Sequence, residues 1–304
     1  MATQLAPRAP TKTREFHNHH FDSTVWNDFA FRDDDIVIAT YAKSGTTWMQ
    51  QIVAQLIFNG DPDVNVAELS PWIDLRVPPK QEKLAAVEAQ THRRFLKTHL
   101  PVDALHFDRI AKYLYIARDG RDVLWSFHNH HINATPEWYA LLNDTPDRTG
   151  PPVPRADPDI RRYFRNWLDN DGDPFWPFWE NVRGWWAIKD QPNVLLVHFE
   201  DLKRDLPGEM KRIADFLEIE IDRSRFPQMV EHCGFDWMKA HASRAAPLGG
   251  VFWDGGAETF INKGVNGRWR DTLSLRDVTD YEMRSVAELG PICARWLAGG
   301  VRAV

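Results

Sequence analysis

The sequence predicts an α/β fold, a single domain in which a central parallel sheet is flanked by helices. Short apolar runs rich in β-branched residues recur along the chain, as in strands that are buried on both faces. Segments with a helical spacing of apolar residues separate these runs, which is typical of a helix-covered parallel sheet. The chain has 304 residues, of which 43% are hydrophobic, and this is enough for one large domain.

Four apolar runs are predicted strands joined by right-handed crossovers. The first begins at Ile36 and leads through a polar turn into a helix that ends near Asn59. The other three lie within residues 93–101, 113–117 and 194–199. Ligands bind beyond the carboxyl ends of such strands. We therefore expect the polar residues that follow these runs to converge on one cleft.

The turn after the first predicted strand is a candidate anion-binding site. Residues 43–47 are Lys-Ser-Gly-Thr-Thr. The free N–H groups at the start of a helix, together with a lysine and nearby hydroxyls, favour the binding of a phosphate or sulfate group. The order differs from the nucleoside-triphosphate loop, because Lys43 precedes Gly45. The acidic residues nearest to strand ends, Asp119 and Glu200, each lie just past their strand, so the site is predicted to be cationic and metal-free.

Composition limits the function and the location of the protein. The net charge of −6 argues against nucleic acid and acidic membranes as partners bound through bulk charge. Two cysteines do not form a disulfide framework, and the sequence lacks a long apolar run or a recognisable secretion signal. We therefore predict a cytoplasmic protein with no membrane or nucleic-acid partner.

Two segments outside the predicted strands are histidine-rich. Residues 1–20 are predicted to be a flexible arm with His17, His19 and His20 in solvent, and residues 21–304 to be the domain. Residues 128–173 are rich in proline and aspartate and are predicted to be an inserted loop or lid over a pocket. His128, His130 and His131 are interpreted as cleft-flanking or helix-capping residues rather than metal ligands.

Several segments in order resemble one known family. Residues 40–48, Thr-Tyr-Ala-Lys-Ser-Gly-Thr-Thr-Trp, are similar to the 5′-phosphosulfate loop T-Y-P-K-S-G-T-T-W of the cytosolic sulfotransferases. Residues 96–101 with Lys97 and His99, residues 115–118 with Ser126, and residues 263–269 match further family motifs, and the resemblance spans roughly residues 30 to 275. It implies a P-loop-like core that uses 3′-phosphoadenylyl sulfate (PAPS) as co-substrate and releases adenosine 3′,5′-bisphosphate (PAP).

The resemblance also implies roles for individual residues. His99 is the predicted general base, since an ordinary histidine pKa of about 6.5 suits that role at neutral pH, while Lys43 and Lys97 stabilise the transition state and Ser126 assists. The predicted donor-binding residues are Lys43, Ser44, Gly45, Thr46, Thr47, Trp48, Arg118, Ser126, Phe199, Cys233, Phe235, Asn262, Lys263 and Gly264. The predicted acceptor-pocket residues are Trp72, Lys97, His99, Trp138 and Tyr139.

The chain departs from the family pattern mainly around the nucleotide. Ala42 replaces a proline, and Phe199 replaces a tyrosine whose hydroxyl lies near adenine. Cys233-Gly234 replaces a Thr-Ser pair. Asn262 replaces the arginine of the motif R-K-G, and an amide cannot replace a bidentate guanidinium contact to phosphate. We therefore predict weaker donor binding than in the family generally.

Other interpretations of the sequence remain open. One alternative is a non-catalytic or weakly active PAPS- or PAP-binding homologue, and another is a P-loop small-molecule kinase, which would require Mg²⁺ and ATP. The aromatic residues of the 128–186 region favour a phenol, an alcohol or a lipid-like hydroxyl as acceptor. The sequence leaves a monomer and a homodimer equally open.

Overall fold

The computed structural model describes residues 9–301 and has a four-stranded parallel sheet at its centre. Strands β1–β4 are Ile36–Thr40, Phe95–Thr98, Lys112–Ala117 and Val194–His198, in the spatial order β2-β1-β3-β4. All pairs are parallel. The four predicted strands and the predicted helix-flanked sheet are therefore confirmed.

Helices surround the sheet and occupy most of the remaining chain. Helices α1–α14 are Thr46–Ile57, Val66–Leu69, Lys80–Glu88, Gly120–Ile132, Pro136–Asn143, Ile160–Asp169, Phe178–Ala187, Phe199–Arg204, Leu206–Leu217, Phe226–His232, Phe235–Ala240, Ala242–Ala245, Gly256–Phe260 and Leu275–Gly299. Short 3₁₀ helices are Ser23–Asn27, Val102–Ala104 and Pro247–Gly250. None of the helices between residues 9 and 301 is long and apolar enough to cross a membrane.

The strands have different side chains on the two faces of the sheet. Along β1, Val37 and Ala39 join one buried core while Ile36 and Ile38 join the other, as expected from a side-chain period of two. The first core is rich in tryptophan and tyrosine, and the second is mostly aliphatic and contacts α1. The parallel register places the carboxyl ends of all four strands at one edge, and the cleft opens there.

The structure differs from the sequence prediction at residues 128–173. The end of α4 and the helices α5 and α6 occupy much of this segment, and irregular chain is confined mainly to residues 144–159. Capping explains the helices: Thr135 accepts a hydrogen bond from the Trp138 N–H, and Asp159 accepts from the N–H of Arg161. The proline and aspartate content that predicted a loop is concentrated at these helix starts and between them.

The prediction that the histidines of residues 1–20 lie in solvent is wrong for His19 and His20, whereas His17 is exposed. Residues 1–8 lie outside the described residues, but His19 and His20 are buried. His19 Nε2 lies 2.8 Å from the Pro174 carbonyl oxygen, and His20 packs against the ring of Trp176. Burial lowers the pKa of both histidines, so both are neutral and fit an aromatic environment.

Two helical segments near the end of the chain are interrupted. Residues 226–240 form two helices, because the chain turns at Cys233-Gly234 between α10 and α11. The final helix is broken at Gly290, whose φ of 73° is left-handed, immediately before Pro291. Its start is fixed by a capping box between Ser274 and Asp277.

Candidate active site

The loop between β1 and α1 approaches its neighbours closely. Gly45 has a φ of 115° and directly precedes the first residue of α1. A Cβ atom there would lie 2.9 Å from Ile116 Cδ1 and 2.9 Å from Phe199 Cδ2. Only glycine therefore fits both the backbone angle and the space. Gly45, Thr46 and Thr47 line the cleft, so the free N–H groups of the helix start lie at its wall.

A hydroxyl and a histidine connect β1, α1 and the end of β2. Thr40 Oγ1 lies 2.8 Å from Thr46 Oγ1 and 2.9 Å from His99 Nδ1. His99 Nδ1 is also 2.9 Å from the Thr40 carbonyl oxygen. Because a carbonyl oxygen can only accept, Nδ1 carries the proton of the neutral ring. Among the described residues Nε2 has no hydrogen-bond partner, so its lone pair is available.

The environment of His99 disfavours the charged ring. Burial, and next the charge of Lys97, lower its pKa to about 3. The Trp72 ring contacts His99 edge-on at a centroid distance of 4.6 Å. His99 is therefore neutral at neutral pH.

Two lysines lie beside this histidine. Burial, then the charges of Lys97 and Arg118, lower the pKa of Lys43 to about 7. Burial lowers the pKa of Lys97 to about 8, against the opposing charge of Asp74. Lys43 Nζ lies 3.3 Å from His130 Nδ1 and 4.6 Å from the ring centre of Phe260. An anion in the cleft favours the charged form of both lysines.

Arg118 stands at the other end of the cleft, after β3. Its Nε donates to Asn266 Oδ1 at 2.8 Å, and its Nη1 donates to the Lys43 carbonyl oxygen at 3.4 Å. The guanidinium stacks on Phe199 at 4.4 Å. Burial lowers its pKa and nearby carboxylates raise it, Asp122 first, yet arginine stays charged at physiological pH. Asp119 is the N-cap of α4 and accepts from the Arg121 N–H.

Aromatic rings adjoin Arg118. Trp48 meets Phe199 edge-on at 5.0 Å, and the Trp48 Nε1 donates to the Cys233 carbonyl oxygen at 2.8 Å. Gly264 lies so close to Phe235 that a Cβ atom would be 2.5 Å from its ring. Trp48, Phe199 and Phe235 all line the cleft, and this arrangement suits a flat heterocycle.

The segment around Asn262 closes the same end. Asn262 Nδ2 donates to Asn129 Oδ1 at 2.8 Å on α4. Lys263 is exposed, and Ser126 is half-buried on α4. All three predicted residues, Ser126, Asn262 and Lys263, line the cleft together with Arg118.

The cleft continues from His99 into an aromatic pocket, and together they enclose about 360 Å³. Trp72 and Trp138, predicted as pocket residues, line it. Further lining residues come from five separate segments of the chain. They are His20, Leu75, Val77, His130, Leu141, Leu142, Phe175, Trp176, Phe252, Trp253 and Phe260.

Three predicted site side chains are not part of the cleft wall. Tyr139 is buried away from it, since its hydroxyl donates to the His131 carbonyl oxygen at 3.0 Å and Arg155 covers its ring at 3.8 Å. Cys233 and Ser44 are also buried and do not line the cleft. Trp138 and Tyr139 are neighbours on α5, so only one of them can face the pocket.

Sequence reasoning missed several residues that the fold brings to the cleft. His20 had no usable signal, since its approach depends on the path of residues 9–20. His130, by contrast, was interpreted as cleft-flanking or helix-capping, and it lines the cleft four residues after Ser126 on the same face of α4. Arg268 and Phe260 lie close to the recognised Lys263-Gly264 pair, but only the folded segment shows that they line the cleft.

This combination of parallel sheet, cationic loop and adjoining aromatic pocket defines a nucleotide-dependent group-transfer enzyme. Residues 33–287 match the family model described as "Sulfotransferase domain". Because the match spans most of the chain, the protein belongs to the family of PAPS-dependent sulfotransferases. This confirms the resemblance stated from the sequence motifs.

Curated relatives agree with this assignment. The chain is 30% identical to a "Glycolipid sulfotransferase" of Mycobacterium bovis (strain BCG / Pasteur 1173P2), over 92% of this chain and 93% of that protein. It is 27% identical to human "Sulfotransferase 1C2", over 81% of this chain and 80% of that protein.

Solved structures share the fold. Mouse sulfotransferase SULT7A1 complexed with PAP matches with a TM-score of 0.68 at 22% identity, over 90% of this chain and 91% of that chain. Retinol dehydratase in complex with androsterone and PAP matches with a TM-score of 0.67 at 24% identity, over 88% and 83%. At these identities the likeness supports the fold, which is the predicted one.

Proposed function

We propose that the protein transfers the sulfuryl group of PAPS in line to a hydroxyl group, or an amine, of a small apolar or aromatic acceptor. One observation carries the proposal. His99 lies at the junction of the cationic loop and the aromatic pocket, with Nδ1 held by Thr40 and the Nε2 lone pair available. A base in that place serves a reaction between a group bound in the loop and a hydroxyl bound in the pocket.

His99 is the proposed general base. The acceptor oxygen forms a bond to sulfur while the bond from sulfur to the 5′-phosphate oxygen breaks, and Nε2 takes the acceptor proton. A pKa of about 3 means that the basic form of His99 is present but weakly basic. The anionic donor offsets the charges of Lys97 and Lys43, two of the causes of that low pKa, and so raises it towards the working range.

Lys43 and Lys97 are proposed to stabilise charge in the transition state. Lys43 neutralises negative charge that grows on the bridging oxygen as PAP leaves, and Lys97 supports the same charge from β2. Fixed donors of this kind contribute about 3 kcal/mol each in a site protected from water. Burial of both lysines makes this electrostatic effect larger than on an open surface.

The donor is proposed to lie along the cleft with its phosphosulfate at the loop and its 3′-phosphate at Arg118. The N–H groups at the start of α1 and the hydroxyls of Thr46 and Thr47 hold the first group. Arg118, Ser126 and Lys263 hold the second, and Trp48, Phe199 and Phe235 bind adenine. The likeness in fold to two proteins solved with PAP is consistent with a nucleotide of this kind in the cleft.

The acceptor is proposed to be a phenol, an alcohol or a lipid-like hydroxyl compound. The pocket is lined by aromatic and aliphatic side chains, with neutral His20 and His130 as polar points. Such walls favour an uncharged, largely apolar molecule with a second polar group. Relatives named for a glycolipid and solved with androsterone or retinol support this class.

A weakly active PAP-binding homologue is the second candidate, and specific residues favour it. Phe199 lacks a hydroxyl and Asn262 lacks a guanidinium at the nucleotide end of the cleft. The intact group of Lys43, Lys97 and His99 at the other end favours catalysis instead.

Labelled sulfuryl transfer from PAPS to a panel of phenols, steroid alcohols and glycolipids tests the proposal. We expect transfer to at least one acceptor, unaffected by a chelator, and a loss of at least about 10²-fold in kcat for His99→Ala. His106→Ala is the matched control, since His106 is an exposed histidine. Full activity of His99→Ala, or loss of transfer on chelation, would contradict the mechanism.

A further inference from the structure

Arg268 lies where the cleft lacks the expected guanidinium. Its Nη1 is 3.5 Å from Asn262 Oδ1, so its charged group lies beside the side chain that replaces the family arginine. Asn262 is itself turned towards α4, where its amide nitrogen donates to Asn129. Arg268 lines the cleft and is half-buried.

The charge of Arg268 has no carboxylate partner within residues 9–301, because none of the ion pairs in that range includes it. Its neighbour in the cleft is another cation. Arg118 is close enough that the charge of Arg268 contributes to lowering the pKa of Arg118. Arg118 and Arg268 thus place two guanidinium groups on one cleft, while the Asp122 carboxylate, which also lines it, accepts from the Gly267 N–H. A pair of guanidinium groups can bind a multivalent anion.

The backbone around Arg268 is fixed by neighbouring contacts. The Gly267 N–H donates to Asp122 Oδ1 at 2.7 Å, and Asn266 Oδ1 accepts from Arg118. On the other side, Trp269 is buried with the Arg121 guanidinium 3.8 Å above its ring. Residues 266–269 are therefore anchored to the start of α4, and the position of Arg268 relative to Arg118 is set before a ligand binds.

We propose that Arg268 supplies the guanidinium that Asn262 lacks and that, with Arg118, it makes the cleft selective for nucleotides with a 3′-phosphate. The proposal rests on the proposed orientation of the donor, because it needs the 3′-phosphate at this end. It replaces the sequence-based expectation of weak donor binding. The required guanidinium comes from a position six residues further along the chain.

Calorimetric titration of PAP and of adenosine 5′-phosphate, which lacks the 3′-phosphate, tests the proposal without measuring transfer. We expect Arg268→Ala to weaken PAP binding by about 10- to 100-fold, the size of a lost charge-assisted contact. Binding of adenosine 5′-phosphate should stay within about twofold. Arg268→Lys should be intermediate, since lysine keeps the charge but not the planar fork. Arg270→Ala, an exposed arginine two residues away, is the control and should leave both affinities unchanged.

A second experiment introduces an arginine at residue 262 in place of the one removed at residue 268. Asn262→Arg in the Arg268→Ala background should restore PAP affinity to within about threefold of the wild type. Equal loss of both ligands in Arg268→Ala, or no loss of PAP, would overturn the proposal for Arg268 alone. A wild-type protein that binds PAP no better than adenosine 5′-phosphate would overturn the donor orientation as well, so the two failures are distinguishable.

Discussion

The two ends of the donor cleft fix their positive charge in different ways. At the phosphosulfate end the charge comes from Lys43 and Lys97, lysines with lowered pKa values beside a neutral histidine. At the nucleotide end it comes from Arg118 and Arg268, whose guanidinium groups remain charged at any physiological pH. The first end matches the family motif except at Ala42, whereas the second departs from it at Phe199, Cys233 and Asn262.

The difference shows which end is constrained by chemistry. Groups that act on the breaking bond must be placed to within a fraction of an ångström, because they stabilise a charge that exists only in the transition state. A 3′-phosphate is a stable anion, and donors from several directions can bind it. A guanidinium at that end can therefore move from residue 262 to residue 268, but a lysine at residue 43 has no such freedom.

Replacement of Lys43 by methionine should have the largest effect. We expect kcat to fall by about 10² to 10³, corresponding to about 3 to 4 kcal/mol of lost transition-state stabilisation. The affinity for PAP should fall much less, because Lys43 acts mainly on the bond to sulfur. Steady-state kinetics and PAP titration separate the two. Lys189→Met, at a lysine paired with Asp190 away from the cleft, is the control. A loss of PAP affinity as large as the loss of kcat would mean that both ends act through binding.

Replacement of Gly45 by alanine should disrupt the same end by geometry alone. The added Cβ would meet Ile116 and Phe199 at 2.9 Å on a backbone with φ of 115°. We expect about 2 to 4 kcal/mol of destabilisation and loss of PAP binding, measured by urea unfolding and titration. Gly150→Ala shares the positive φ, 78°, but meets no atom within 4 Å, so about 1 kcal/mol is expected there. Equal effects in the two variants would show that the loop tolerates the clash.

The pH dependence of binding should also differ between the ends. The pKa of Lys43 is about 7, and a bound anion raises this pKa. Binding of an anion above pH 7 is therefore accompanied by uptake of a proton. The affinity for adenosine 5′-phosphate should therefore fall by about two- to fivefold between pH 7 and 9, limited by the small share of Lys43 in binding, while that for adenosine 3′-phosphate should change little. Titration in buffers of different ionisation enthalpy measures the proton uptake. Wild-type affinities that do not change with pH for either ligand would contradict the contrast between the two ends. So would a Lys43→Met protein in which both affinities still change with pH.

The sequence was sufficient for the fold and for one end of the cleft. Strand periodicity and the order of the Lys43, His99 and Arg118 segments predicted the sheet and the convergence of its carboxyl edge, since parallel connectivity leaves few arrangements. The sequence was insufficient for residues whose position in the cleft depends on the path of irregular segments. His20 comes from a segment with no periodic pattern, and Arg268 is found only through the anchoring of Gly267 and Trp269.

Helix content between residues 128 and 173 was also missed, and for a related reason. Proline and aspartate predict loops, yet the same residues start helices when a cap is present, as at Thr135-Pro136 and Asp159. Tyr139 shows the limit of composition for a pocket. Its neighbour Trp138 faces the cleft, while its own hydroxyl donates to a backbone carbonyl.

Replacement of Phe199 by tyrosine should have the smallest effect. It tests the comparison of the two ends at the nucleotide end of the cleft. The Phe199 ring lies between Arg118 and Trp48, and a hydroxyl there adds one neutral hydrogen bond near adenine, worth about 1 kcal/mol. We expect PAP affinity to rise about two- to fivefold with kcat unchanged. Phe260→Tyr, beside Lys43 at the phosphosulfate end, is the matched control and should not improve binding. The Phe199 ring lies against Gly45, so a larger ring could also disturb the phosphosulfate loop. A loss of PAP affinity in Phe199→Tyr would therefore mean that the residues of the two ends are packed together and cannot be substituted independently.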